Sequence, residues 1–204
     1  MDIERLKQLL NTPLPGEKAQ EIMAPEVRHP GPWGSGPENA RFSSVLILFY
    51  PKNGQWYLPL IQRPLYNGAH SGQISFPGGK QEEQDAGFLE TALRETHEEI
   101  GVEPARVIHL GALTRLYIPK SNFFVYPQVG WMHGAPSFIP DPMEVDEVIE
   151  VSLDELLDES CVRTFTYQSG GLNVSAPYFG VSGKRIWGAT AMILSEILEV
   201  IRRL

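Results

Sequence analysis

The chain has 204 residues, of which 42% are hydrophobic and 21% charged, a composition that fits one globular core and excludes wholesale disorder. The formal net charge of -8 argues against non-specific binding to nucleic acid or to an anionic membrane, and requires local cations wherever an anionic substrate would sit. The lone cysteine, Cys161, excludes an intramolecular disulfide and a Cys-rich zinc site, and reads as a semi-buried small residue.

Residues 2–11 place Ile3, Leu6, Leu9 and Leu10 at helical spacing. They are charged and lack the apolar stretch of a secretory signal, and no apolar run reaches the roughly 18 residues of a membrane helix, so a soluble cytoplasmic location is expected. The Pro- and Gly-rich stretch to about residue 40 reads as a loop or extended surface arm. SSVLILFY and QWYLPLIQ, residues 43–50 and 55–62, read as buried strands joined through KNG in a hairpin.

From Asp85 to Ile100 the pattern is helical, with Leu89, Ala92, Leu93, Thr96 and Ile100 as the buried stripe, Asp85 as a candidate N-cap and Gly101 as the terminator. VIHLGALTRLYI, FFVYPQVGWM and VIEVS are strand candidates, LDELLD a short helix, and residues 162–168 and 172–179 a hairpin around SGG. Residues 189–204 read as an amphipathic closing helix, and the tail with Trp187 either closes the site or completes the core, with the core as the first expectation.

RETHEEIG, residues 94–101, sets Glu95, Glu98 and Glu99 three and four residues apart beside the apolar stripe. Carboxylates gathered at a cleft raise one another's pKa unless a cation neutralises them, and hard divalent cations prefer oxygen ligands. A solvated helix face is the bland alternative. PGGK, residues 77–80, lies just upstream, and its glycines permit close backbone approach to a ligand. Arg94 is a candidate to hold a glutamate by a bidentate hydrogen bond.

FPGGKQEEQDAGFLETALRETHEEIGV, residues 76–102, resembles the Nudix box. The resemblance implies an α/β/α sandwich with a mixed β-sheet, and a divalent-metal hydrolase that splits the diphosphate bond of a nucleoside diphosphate derivative. Glu95, Glu98 and Glu99 take the metal-ligand positions, with Glu98 also catalytic, and Arg94 takes the position that orients a box glutamate. Mg²⁺ or Mn²⁺ is the implied cofactor. The spacing departs from the usual box, because Arg94 follows Asp85 by nine residues, so Asp85 is left between a cap and a functional role.

LIQRPLYNGAHSGQISFPGG, residues 60–79, resembles the extended motif of the coenzyme A pyrophosphatase subgroup, with Arg63, His70, Gly72, Gln73 and Phe76 at comparable positions. Arg63, His70, Gly78, Gly79 and Lys80 are the candidate substrate contacts, with Arg115 and Lys120 as further cations. The acidic run 140–151 supplies the candidate general base, Glu147, with Glu144 as the alternative. The implied partner is a small molecule linked to a nucleoside diphosphate, with no nucleic acid and no membrane. Coenzyme A is the first expectation; ADP-ribose, a dinucleotide or an oxidised nucleotide, or a non-catalytic binding module, are the alternatives. The expected organisation is a helix and surface arm over 1–40 and a catalytic domain over 41–204. A homodimer built on the arm and last helix is a further expectation.

Overall fold

The computed structural model describes residues 1–26, 36–65 and 72–204. Its centre is β1 (Arg41–Lys52), which runs parallel to β7 (Phe123–Trp131) from Arg41↔Phe123 to Phe49↔Trp131. β2 (Gln55–Gln62) folds back on β1 through Asn53 and Gly54. Their φ values of 52° and 79° fit a type I′ turn, whose twist matches the flanking strands. β3 (Ile74–Ser75) and β8 (Glu147–Ser152) pair antiparallel with β2, and β4 (Gly78–Lys80) pairs antiparallel with β1. β5 (Ile108–Ala112) and β6 (Leu116–Ile118) both pair antiparallel with β7, so the single strand expected over 107–118 is two short ones. The result is a mixed sheet in a mixed α/β fold.

One edge of β1 serves two partners. Residues 43–45 pair with β4, while residues 50–52 pair with β2. The sheet therefore divides between them, with β4 as a separate short strand on the same edge as β2.

Alternation along β1 explains the layers. Leu46, Leu48 and Tyr50 pack with Ala92 and Ile100 of α3 (Phe88–Ile100) on one face. Ile47 and Phe49 pack on the other face with α1 (Ile3–Leu10) and α5 (Ala189–Ile201). Asp2 caps α1, its side chain accepting from the Arg5 amide at 2.9 Å. After β8 come the short α4 (Leu153–Leu157) and a separate antiparallel sheet of β9 (Val162–Ser169), β10 (Leu172–Val181) and β11 (Lys184–Trp187). Cys161 is buried beneath it, and burial pushes its thiol pKa up, which suits an inert packing residue.

Two expectations are corrected here. The stretch after α1 is not wholly an extended surface arm: Glu17–Glu21 form α2, and Ala19, Gln20 and Met23 are buried. α5 is not amphipathic, because almost every residue from Thr190 to Ile201 is buried. The sheet takes one side of it, while α1 and α2 take another. Its one charged interior residue, Glu196, is fully buried and accepts hydrogen bonds from the Gly16 amide at 3.2 Å, the Thr114 amide at 3.2 Å and Gln20 Nε2 at 2.8 Å. Burial pushes the Glu196 carboxyl above the usual range, outweighing those donors.

A raised acid pKa means the folded chain holds the proton more tightly than the unfolded chain. This group's contribution to stability is therefore greatest below the unfolded value and falls as pH rises through the folded one. Urea denaturation should accordingly show the stability of wild type, relative to Glu196→Gln, declining as the pH rises above about 4.

Candidate active site

Three pieces meet at the divided edge of β1: the end of β2, the glycine strand β4 and one face of α3. Gly78 has φ 146°, and a Cβ there would overlap the Ser44 carbonyl oxygen and the Val45 Cα. A Cβ on Gly79 would overlap the Glu95 carboxylate. Gly78 is therefore demanded by close backbone approach, a side chain at Gly79 would displace the Glu95 carboxylate, and the pair lets β4 lie directly against the glutamates of α3.

Glu99 is not at the margin of the apolar stripe but within it, with its side chain only 1% exposed. Its carboxylate accepts from the Gly78 amide at 2.8 Å and from Arg63 Nη2 at 3.1 Å. Burial pushes its pKa up to about 7, against the opposing effects of Arg63 and the Gly78 amide. Arg63 also donates to the Gly78 carbonyl at 3.2 Å, so it ties β2 to β4 as well as holding Glu99. Thr96 sits in the buried stripe because its hydroxyl donates to the Ala92 carbonyl at 2.6 Å.

Arg94 binds two sets of acids at once. Its bidentate partner is Asp85 and not a glutamate: Nε donates to Oδ1 at 2.9 Å and Nη2 to Oδ2 at 3.0 Å. Nη1 donates to Glu95 Oε1 and to Glu98 Oε2, each at 3.0 Å, and Nη2 also reaches the Lys80 carbonyl at 3.1 Å. Asp85 is consequently no helix cap. α3 begins at Phe88 after Gly87, and Asp85 accepts from Thr91 Oγ1 at 2.9 Å and from the Glu82 amide at 2.9 Å. The Arg94 hydrogen bonds hold the Asp85 carboxyl well below the usual range.

Of the candidate bases, Glu147 opens β8 and is ion-paired to Lys184 Nζ at 2.5 Å. The charge of Glu144, by contrast, raises the pKa of both Glu95 and Glu99. Glu95 is raised first by burial, with Arg94 opposing and Glu98 and Glu144 adding to the shift. Arg115 lies over the Phe124 ring, 4.7 Å from its centroid, and is not among the residues lining the cavity beside β4. His70 lies outside the described residues.

Among the described residues no three carboxylates or imidazoles are already gathered into a metal cage. The donor set nevertheless fits a hard divalent cation. Asp85, Glu95, Glu98, Glu99 and Glu144 outnumber the guanidinium groups of Arg63 and Arg94, and Glu98, bonded to Arg94 through Oε2, is 56% exposed.

A cavity of about 480 Å³ opens beside β4, lined at this end by Arg63, Gln73, Gly78, Gly79 and Lys80. Lys120 stands on its wall, and the opposite end reaches Tyr167, Trp187 and the first turn of α5. Trp187, expected in the core, is half-buried and faces this cavity, while Ile186 and α5 supply the core.

The family profile described as NUDIX domain matches residues 40–166. The chain belongs to the Nudix family. It is a Nudix hydrolase, a diphosphatase. Its relatives include the uncharacterized Nudix hydrolase NudL of Yersinia enterocolitica, 34% identical over 175 residues that span 85% of this chain and 88% of that protein. The mitochondrial coenzyme A diphosphatase NUDT8 of Mus musculus is 36% identical over 137 residues, 66% of this chain and 65% of its own length. Among solved structures, the Nudix hydrolase RenU from M. smegmatis superposes with a TM-score of 0.58 at 14% identity, spanning 81% of this chain and 88% of that one. A MutT/nudix protein from Enterococcus faecalis gives a TM-score of 0.55 at 16% identity, over 82% of this chain and 64% of that one. These two likenesses bear on the fold alone, and the α/β arrangement of this Nudix hydrolase agrees with them.

The Asp85–Arg94 fork should matter for both stability and turnover. Asp85→Asn is expected to cost about 2–3 kcal/mol in urea denaturation, the range for hydrogen bonds to charged groups. It is also expected to slow diphosphate hydrolysis about tenfold or more by releasing Arg94 from its place beside Glu95 and Glu98.

Proposed function

We propose that this Nudix hydrolase cleaves the diphosphate bond of coenzyme A or an acyl-coenzyme A. The products are phosphopantetheine, or its acylated form, and adenosine 3′,5′-bisphosphate. The observation that carries the reading is the cavity at β4, which joins a cationic glycine-lined end to a long apolar wall. The substrate has the same two parts, a diphosphate and a long, mainly uncharged arm. The coenzyme A diphosphatase named among the relatives supports the same choice.

Hydrolysis adds one water across the phosphorus–oxygen–phosphorus bridge and leaves a phosphate monoester on each side. Glu95, Glu98 and Glu99 would hold a divalent cation, Mg²⁺ or Mn²⁺, which when bound neutralises diphosphate charge and acidifies water. Arg94 and Arg63 keep those carboxylates in place. The Gly78–Gly79 backbone brings β4 against the glutamates at the cationic end of the cavity, and Lys80 and Lys120 on the cavity wall are available to phosphate oxygens. Glu144 is the acid we assign to accept the proton of the attacking water, since its charge already acts on Glu95 and Glu99, whereas Glu147 is held by Lys184.

The test is a panel of coenzyme A, acetyl-coenzyme A, ADP-ribose, NADH and 8-oxo-dGTP, assayed with Mg²⁺, Mn²⁺ or a chelator. Wild type should hydrolyse coenzyme A or its acetyl ester with the highest kcat/KM. Chelation should abolish turnover, and Glu98→Gln should lower it about 100-fold or more. Preference for another member of the panel would replace the substrate and keep the chemistry.

The base assignment is tested separately. Glu144→Gln should lower kcat by about 100-fold, in the range for a lost general base. Glu147→Gln should stay within about threefold of wild type, as expected for a surface ion pair. The reverse order would return the role to Glu147.

A further inference from the structure

The cavity has a second half that the chemistry at α3 does not use. Beyond the glycine strand its wall is formed by Leu116, Ile118 and Val125 from β6 and β7, by Met192 and Ile193 from α5, and by Trp187 at the end of β11. Leu116, Met192 and Ile193 are almost wholly buried, at 1%, 2% and 2% exposure. Gly188, with φ 65°, and Ala189 carry the chain from β11 into α5 on the same wall, and their small side chains leave the space open. The matching family profile ends at residue 166, so Trp187, Met192 and Ile193 belong to what this chain adds to it.

The aromatic corner is braced from its own sheet. Trp187 meets Phe165 edge-on at 5.2 Å and Tyr167 at 5.0 Å, and the Arg185 guanidinium lies 4.3 Å from the centre of the Phe165 ring. Tyr167 and Trp187 are tilted 56° to each other, so these two cavity-lining rings form no parallel slot for a flat base. Thr190, which could have offered a hydroxyl here, donates it to the Ile74 carbonyl at 2.9 Å. What remains at this end is mostly apolar surface, aliphatic and aromatic with Ser169 at its rim, continuous with the diphosphate end. That shape and chemistry suit a flexible hydrocarbon chain attached to the substrate's arm.

We infer that the end of the cavity formed by β6, β11 and the first turn of α5 is a subsite for a saturated acyl chain, and that the enzyme discriminates acylated from bare substrates there. This rests on the coenzyme A reading for the identity of the arm, but the subsite can be tested without it. Octanoyl-pantetheine carries the arm and chain without nucleotide or diphosphate, and pantetheine is the same arm without the chain. Isothermal titration of the whole protein compares the two ligands for wild type, Trp187→Ala and Ile118→Asn, with circular dichroism confirming that each variant is folded. Either variant suffices if the other fails to fold.

Each fully buried methylene is worth roughly fourfold in affinity, so wild type should bind octanoyl-pantetheine at least about tenfold more tightly than pantetheine. That advantage should shrink at least about fivefold in both variants, which respectively open the wall and place a polar group in it. Equal affinity for the two ligands, or variants that keep the full advantage, would overturn the subsite. So would variants whose loss falls on adenosine 3′,5′-bisphosphate instead, because the wall would then hold the base. The substrate panel reports independently: failure to turn over coenzyme A there, with the octanoyl advantage intact, removes the substrate reading and leaves the apolar subsite standing.

Discussion

Arg94 is the cation around which the acidic face of α3 is organised. Three carboxylates on one helical face would repel and splay if water alone screened them. One guanidinium, with its planar fork on Asp85 and its remaining nitrogen shared between Glu95 and Glu98, converts that repulsion into a fixed arrangement. The fork also fastens the loop ahead of α3 to the helix, and the Lys80 carbonyl binds the same group from β4. Arg63 does the equivalent for Glu99 from the opposite side. The two arginines thus act inside the protein, and the acids they gather still exceed them in charge. A lysine could supply the charge at either place but not the planar geometry.

The rest of the fold presents this arrangement to a cleft. β1 is buried on both faces, with α3 against one and α1 and α5 against the other, and it gives one edge to two different partners. That divided edge is where β4 pairs, and it does so with two glycines, because a side chain at Gly78 would meet the Ser44 backbone and one at Gly79 would displace the Glu95 carboxylate. Catalytic geometry and core packing are therefore set by the same strand. The C-terminal sheet and α5 then wall off the other side of the cleft, so residues distant in sequence from the carboxylates still define what can reach them.

The parts legible in the sequence were those with short-range periodicity. The hairpin of β1 and β2, the helix to Gly101 and the acidic face near PGGK follow from alternation, spacing and turn chemistry within a few residues. The parts that were not legible depend on partners far away along the chain. Asp85 was visible as a spaced acid, but its fork with Arg94 needs the path of the intervening loop. Glu99 reads as a polar neighbour of the stripe until Arg63 and the Gly78 amide supply the partners that let it be buried. α5 has polar residues at helical spacing, and only the cover provided by α1 and α2 shows why Glu196 and Ser195 are inside. α2 is five residues long in a Pro- and Gly-rich stretch, too short for a pattern to emerge.

The burial of Glu196 has a consequence for how the molecule is made. Its partners Gly16 and Gln20 are 180 and 176 residues away, so the two ends of the fold close on each other. On the ribosome α1 and α2 emerge early, whereas the helix that buries Leu6, Leu9 and Met23 emerges last. During synthesis the first helices wait with their apolar faces uncovered, and the nascent chain is exposed to aggregation until α5 leaves the exit tunnel. The buried acid adds a selection at that final step: α5 can dock stably only where a segment with the right backbone amides is ready to receive its carboxyl group. A neighbouring nascent chain offering only an apolar surface would leave that group without its donors.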